Sequence, residues 1–446
     1  MTDDLDLAGA LLDAARKAGA EAADVVVVAG TSNSVGVRGG KLEEAERSEG
    51  RDLGLRVLMG KRQACVSASD TSPGTLAEMA ERAVAMAREA PEDPWCGLAE
   101  ASETCAAPDV GALELDDPAA APDPAALEQA ALAAEAAALA VNGVTQAEQA
   151  GASWGRTSIT LAATNGFSGT YARSHSGLFV SVIAGEELGR ERDHASESRT
   201  YRADLPSPDE IGALAGQRAV ERLGPRKPPS GRFPVLYDER VAGSLIGHVL
   251  RAINGSAIAR GASWLRGAME TGILPEGFDV TEDPLIRRGP SSRPFDAEGI
   301  AAVRRDLVSG GVLRSWVLDL ATARQLGLKT TGNARRGTGA PPSPGTSNIR
   351  VTEGAHSRDD LVREMGTGLL VTSMIGASIN PTTGAYSRGA SGFWVEGGEI
   401  AYPVNEVTIA GSLPEMLKTL IPADDADPHR GISVPSLLVE GLTVGA

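Results

Sequence analysis

Five histidines, at 175, 194, 248, 356 and 429, are where a search for metal chemistry begins. A helical zinc site needs two imidazoles about one turn apart and a carboxylate to take a proton from bound water. None of the five is followed by Glu, and the nearest two, His175 and His194, lie 19 positions apart. That excludes H-E-x-x-H and leaves only a site assembled from distant residues. Nucleophiles give as little. Gly151-Ala152-Ser153-Trp154-Gly155 matches G-x-S-x-G, but a nucleophile elbow needs a strand before the serine and a helix after it. Here a helix and a loop are expected before it and a strand after. Cys65, Cys96 and Cys105 have no histidine close in sequence, and Cys65 falls in an expected strand, as a buried thiol would. Gly337–Pro342 has the glycines of a phosphate loop without G-K-[ST]. It reads as a mobile loop, with Arg335-Arg336 beside it able to meet an acidic partner. Glu186-Glu187 and Glu191/Asp193 stand among arginines and read as a solvated or salt-bridged face.

The elements that must position these residues come next. Leu5, Ala8, Leu11, Leu12 and Ala15 form a helical stripe closed by Gly19. Strands are expected over Asp24–Ala29, Asn33–Arg38, Lys41–Ser48, Arg51–Met59 and Gln63–Ala68, with turns at Gly39-Gly40 and Gly60-Lys61. Ser72-Pro73, Asp123-Pro124 and Ser207-Pro208 each read as an N-cap followed by proline at the first helical position. Ser158–Ala163 and Leu178–Ala184 read as strands, with a turn at Asn165-Gly166 between β-rich pieces. Pro225–Gly231 carries no helical or strand pattern and is the expected boundary. The predicted architecture is α+β in two domains. Residues 1–224 hold a helix, an antiparallel meander and further elements, and 225–231 form a linker. Residues 232–446 form a β-rich domain with a long helix after its first strand, Phe233–Tyr237. A helix follows Ser357, a hairpin joins Gly392–Glu396 to Glu399–Val404, and Ser433–Val439 reads as a last strand.

Composition narrows the function classes. The 446 residues carry 42 Lys+Arg against 59 Asp+Glu, a net charge of −17. Nucleic-acid binders usually present a basic face, so direct contact with nucleic acid is disfavoured. Aromatics are 4%, too few for base-stacking platforms. Gly 53 and Pro 26 point to many tight turns, while 42% hydrophobic residues exclude disorder. An odd number of cysteines without C-x-x-C suits a reducing compartment. No stretch of eighteen apolar residues occurs, and the acidic N-terminus lacks the basic region of a signal peptide. The expectation is a cytoplasmic protein without a membrane segment.

Longer segments carry a resemblance. Asn33–Leu58, Ser291–Gly299 (SSRPFDAEG), Lys329–Asn333 (KTTGN) and Asn380–Gly411 (NPTTGAYSRGASGFWVEGGEIAYPVNEVTIAG) resemble the TldD/PmbA family, and the last resembles its PmbA (TldE) branch closely. The similarity runs over nearly the whole chain. It implies a zinc metalloprotease in which TldD and TldE kinds of subunit associate. The TldD kind has H-E-x-x-x-H on the first long helix of the C-terminal domain and a cysteine near the C-terminus. Aligned on Asn254-Gly255, the three helix positions fall on Ile246, Gly247 and Arg251; aligned on Ser433-Val434-Pro435, the cysteine position falls near Asp427. Isoleucine has no ligating atom, glycine no carboxylate, and arginine repels a dication. His248 is on the same helix but at neither histidine position.

The resemblance therefore implies a non-catalytic subunit with no zinc or other cofactor of its own. It would complete the chamber around the zinc of a TldD-type partner that acts on unfolded or flexible peptides. Arg388, Phe393 and Trp394 are the expected partner or peptide contacts. Phe393 and Trp394 should face opposite sides of a strand, and Arg388 should clasp a carboxylate. Three alternatives stand beside this reading: a homodimeric binding or scaffold protein, a protein-level modulator of DNA gyrase, and a metal-free hydrolase using Ser153 or a cysteine.

Overall fold

The computed structural model describes residues 4–106 and 109–446. Helix α1 (Asp4–Lys17) buries Leu7, Ala8, Leu11, Leu12 and Ala15, while Leu5 stays at the surface. Strands β1 (Ala22–Arg38), β2 (Lys41–Met59) and β3 (Arg62–Ala68) follow, then α2 (Pro73–Glu89) and α3 (Pro124–Leu139). Next come β4 (Val144–Ala163), β5 (Ser168–Ala184), β6 (Glu191–Arg199) and α4 (Pro208–Glu221). The six strands form one antiparallel sheet in the order β3-β2-β1-β4-β5-β6. The caps fall where expected. Ser72 and Asp123 accept backbone N–H bonds at the starts of α2 and α3, and Ser207 and Glu210 form a reciprocal capping box.

Two pairs of expected strands are single long ones. Asp24–Ala29 and Asn33–Arg38 are both parts of β1, and Lys41–Ser48 and Arg51–Met59 of β2. The intervening Gly30 and Gly50 face each other across the pair and stay extended. The turns are at Gly39-Gly40, with φ of +60° and +71°, and at Gly60, with φ of +60°. Because β3 pairs with β2 only from Leu53 onward, the outer edge of β2 from Lys41 to Asp52 is open.

The second half begins with β7 (Gly231–Tyr237), α5 (Glu239–Ala252) and α6 (Gly255–Ala259). A smaller sheet, in the order β10-β9-β8-β13-β18, uses β8 (Val280–Glu282), β9 (Arg305–Ser309), β10 (Val312–Leu313), β13 (Ile349–Val351) and β18 (Ile432–Ser433). Between them lie α7 (Leu320–Leu326) and the pair β11 (Ala334–Arg335) and β12 (Ser343–Pro344). The larger sheet uses β7, β14 (Gly368–Ile379), β15 (Ala385–Glu396), β16 (Glu399–Ser412), β17 (Ile421–Pro422) and β19 (Leu437–Gly445), with α8 (Arg358–Met365) and α9 (Leu413–Met416) against it. Since β16 pairs with both β15 and β19, five of these strands close on themselves in the order β7-β14-β15-β16-β19. The expected last strand starts later, at Leu437. Pro435 has no N–H to give a ladder, and Ser436 instead donates to Asp425 through its backbone N (2.6 Å) and its hydroxyl (2.7 Å).

The mixed α+β character expected from the sequence is observed, with antiparallel pairing dominant. No helix among the described residues is long and apolar enough to cross a membrane.

Candidate functional site

Helix α5 starts at Asp238, whose carboxylate accepts the Arg240 N–H (3.2 Å). Its core stripe is Ala242, Leu245, Ile246 and Val249, all fully buried, joined at the C-terminal cap by Ile253. Residues at i, i+3 and i+4 share a helix face, so His248 and Arg251 stand together on a different side. With Arg260, Trp264, Ile379 and Pro381 they line a cavity of about 450 Å³.

The Arg251 guanidinium lies 3.1 Å from His248 Nδ1. A guanidinium only donates, so Nδ1 accepts and the proton of the neutral ring sits on Nε2. That Nε2 is buried without a hydrogen-bond partner among the described residues. Burial, then Arg251 and Arg388, lower the His248 pKa to about 4, so the ring is neutral at pH 7. Its edge meets Tyr386 (centroids 5.9 Å apart), whose hydroxyl accepts from Tyr237 (3.3 Å). A divalent metal does not fit here. One imidazole with a guanidinium against it supplies neither the ligand number nor the negative charge that zinc needs. Among the described residues no three His, Cys, Asp or Glu gather as a metal set.

The four positions marked by the resemblance do not converge. Ile246 is fully buried in the core stripe, and Gly247 is half-buried with Arg251 3.8 Å from its side-chain position. Arg251 is in the last turn of α5. Asp427 lies at the other end: it pairs with Arg430 (3.3 Å), which pairs with Glu239 (3.3 Å) in the first turn. Glu239 and Arg251 are about 18 Å apart along the axis.

The contact candidates are also dispersed. Trp394 is 1% exposed, packs edge-on against Phe233 (4.9 Å) and donates from Nε1 to Glu396 (3.0 Å). It is a core residue and presents no surface to a partner. Phe393 does face the opposite side. It lines a cleft of about 530 Å³ between α4 and the closed sheet. There Asp193 bonds Arg222 (3.4 Å) and Arg240 (3.3 Å), and Asp238 bonds Arg358 (3.2 Å). Arg388 is half-buried behind the α5 cavity, its Nε without a partner among the described residues.

Other sequence candidates resolve more simply. Ser153 is mid-strand in β4, opposite Ser34 and Gly177, and not on an elbow. Cys65 is half-buried in β3, where burial raises its thiol pKa. The Gly337–Pro342 loop is held against the first sheet: a side chain at Gly54 would sit 2.3 Å from the Thr338 carbonyl. Arg336 is committed within the chain, paired with Asp24, which also takes Arg56.

Two of the segments that carry the resemblance, 291–299 and 329–333, form a polar framework, which residue chemistry alone does not reveal. Arg293 donates to the carbonyls of Ala334, Gly332 and Gly345. Asp296 accepts from the backbone of Glu298, Ile300 and Ala334. Glu298 caps Leu320 (2.9 Å), and Asn333 donates to Glu282 (2.8 Å). Phe295 inserts beside Phe167 and Tyr171, and only glycine leaves room for it at 169, where a side chain would meet the ring at 2.8 Å. These groups fasten loops that have little regular secondary structure.

The chain matches the descriptions PmbA/TldA metallopeptidase domain 1 over residues 23–87, central domain over 117–223 and C-terminal domain over 230–446. It is 34% identical over 425 residues to the metalloprotease PmbA of Escherichia coli O157:H7, covering 95% of this chain and 92% of that one. The crystal structure of a protein from Bacteroides thetaiotaomicron described as a modulator of DNA gyrase superposes with a TM-score of 0.92 at 26% identity, covering all of both chains. The crystal structure of TldE from Thermococcus kodakarensis shares the fold, with a TM-score of 0.86 at 19% identity over 99% of this chain and all of that one. Matched by three successive domain descriptions and by a relative of nearly equal length, the chain belongs to the PmbA/TldD family of metallopeptidases.

Proposed function

We propose that this chain is the non-catalytic subunit of a TldD/TldE-type zinc metalloprotease that processes unfolded or flexible peptides in the cytoplasm. A TldD-type partner would supply the zinc. The observation that carries the reading is the face of α5 itself: a cavity is present, but it is lined by a single neutral imidazole among guanidinium groups, with no second ligand or carboxylate beside it among the described residues. One contact supports a second register for the family pattern. Ile432, in β18, lies 3.8 Å from the side-chain position of Gly243, so this C-terminal strand meets the helix there. Three residues earlier, H-E-x-x-x-H falls on Gly243, Ser244 and His248. In this register one histidine remains, while the first ligand and the carboxylate are absent.

Metal-assisted hydrolysis needs a bound water of lowered pKa and a base. This chain's contribution is then a wall that excludes water and orients the peptide. The test is turnover of a flexible peptide by this chain, by a TldD-type subunit, by their mixture, and by the mixture with chelator. The mixture alone should be active, and chelator should abolish that activity. Chelator-insensitive cleavage by this chain alone overturns the proposal and returns attention to Ser153 or a cysteine. The likeness to the protein described as a gyrase modulator keeps a protein-level role open to the same preparation. Co-purification with gyrase in place of a TldD-type subunit would favour it.

A further inference from the structure

A second cavity, of about 280 Å³, lies between the first sheet and the loops of the C-terminal half. One wall is apolar: Val26, Val28, Ile159 and Leu161 of β1 and β4, with the rings of Tyr171 and Phe295. The same cavity is lined by four arginines, Arg173, Arg293, Arg335 and Arg336. Their charges are poorly matched by acids. Arg336 shares Asp24 with Arg56, Arg173 donates to the Pro290 carbonyl, and Arg293 is met by three carbonyls. The Arg335 guanidinium makes no hydrogen bond or ion pair among the described residues.

Two of these side chains are almost wholly buried yet incompletely bonded. Arg293 is 7% exposed and the Arg336 side chain 1%; among the described residues Arg293 Nε, Arg336 Nε and Arg336 Nη2 have no hydrogen-bond partner. Unmade donor bonds of buried guanidiniums are costly. The carboxylate that borders the cavity, Asp296, already accepts three backbone N–H bonds. Desolvation in the cleft, then Arg293 beside it, hold the Arg335 pKa down to about 10.

We propose that this cavity is an anion site that takes the carboxylate of a small ligand with an apolar body. Guanidinium forks suit the planar carboxylate, and the aliphatic and aromatic wall suits the body. The volume, just below that of ordinary small-molecule pockets, limits the body to about one large side chain. A free acid and the last residue of a peptide share this chemistry. The site uses no residue of α5 and does not depend on the partnership proposed above.

Calorimetry on the full chain tests it with N-acetyl-phenylalanine, its amide, the peptide Ala-Ala-Ala-Phe with a free C-terminus, and inorganic phosphate. At least one of the two acids should bind with saturation at one per chain; the tighter of them identifies the source. The amide should bind at least about tenfold more weakly, as should Arg335→Gln with the acid. Arg335 holds no structural bond, so that variant should keep the parent's melting temperature; Ile159→Trp, which fills the cavity from the apolar wall, should abolish binding. Failure of both acids to bind, equal binding of acid and amide, an unchanged affinity in Arg335→Gln, or phosphate binding as tightly as the acids would overturn the proposal.

Discussion

At His248 the sequence shows a lone imidazole, and only the fold reveals its state. Its folded pKa, about 4, lies below the ordinary 6.5, so between those values the unfolded chain holds a proton that the folded chain refuses. Stability from this group is complete above about pH 6.5 and declines as pH falls towards about 4. Urea midpoints at pH 7 and pH 5 should therefore differ less for His248→Gln than for the parent; an equal difference would show that the group does not titrate this way. His175 and His194 are shifted down as well, His194 against the pull of Asp193, so the comparison between parent and variant is what isolates His248. A residue list could not supply this, because the shift comes from burial and from Arg251 and Arg388, one of them 140 positions away. Asp24, Arg56 and Arg336 were similarly hidden. Replacing Asp24 by Ala leaves two buried guanidiniums without an acid and should cost about 3–5 kcal/mol in denaturant unfolding.

Helices were more legible than strand limits. Ser72, Asp123 and Ser207 with their following prolines mark helix starts through local bonding, which needs no distant partner. Strand ends depend on neighbours. Gly30 and Gly50 look like breaks in isolation, but opposite one another they continue a ladder. The hairpin after Gly392 was legible from Gly397-Gly398, while the depth of Trp394 was not, because its cover comes from β7 and the closed sheet. Trp394→Ala should lower unfolding stability by about 3–5 kcal/mol. Phe393→Ala, on the cleft side, should leave the fold intact. A Trp394→Ala protein as stable as its parent but defective in partner binding would reverse these assignments. Gly392→Ala should be severe for a different reason: its new carbon would sit 1.9 Å from the Leu370 carbonyl, so soluble yield should collapse. On α5, Gly243→His with Ser244→Glu should gain measurable zinc affinity over the parent by metal titration. Turnover should stay low without surrounding groups to orient the new ligands.

At the scale of the whole molecule, the α+β class and the resemblance could be read from the sequence, but the closing of five strands could not. Closure depends on β16 meeting β19, a pairing between segments with no shared local pattern. Its consequence is a matter of timing. The strand that opens this sheet, β7, lies between β14, which follows it by more than a hundred residues, and β19, which ends at Gly445. The first sheet, complete by Arg199, can form while synthesis continues, whereas the ring cannot close until the ribosome has released its last strand. A chain stalled before Leu437 would expose the flank of β7 that β19 covers, backbone and apolar side chains together. Stalled chains of this length should be captured by chaperones and cut by proteases within the second half, while the first sheet remains resistant.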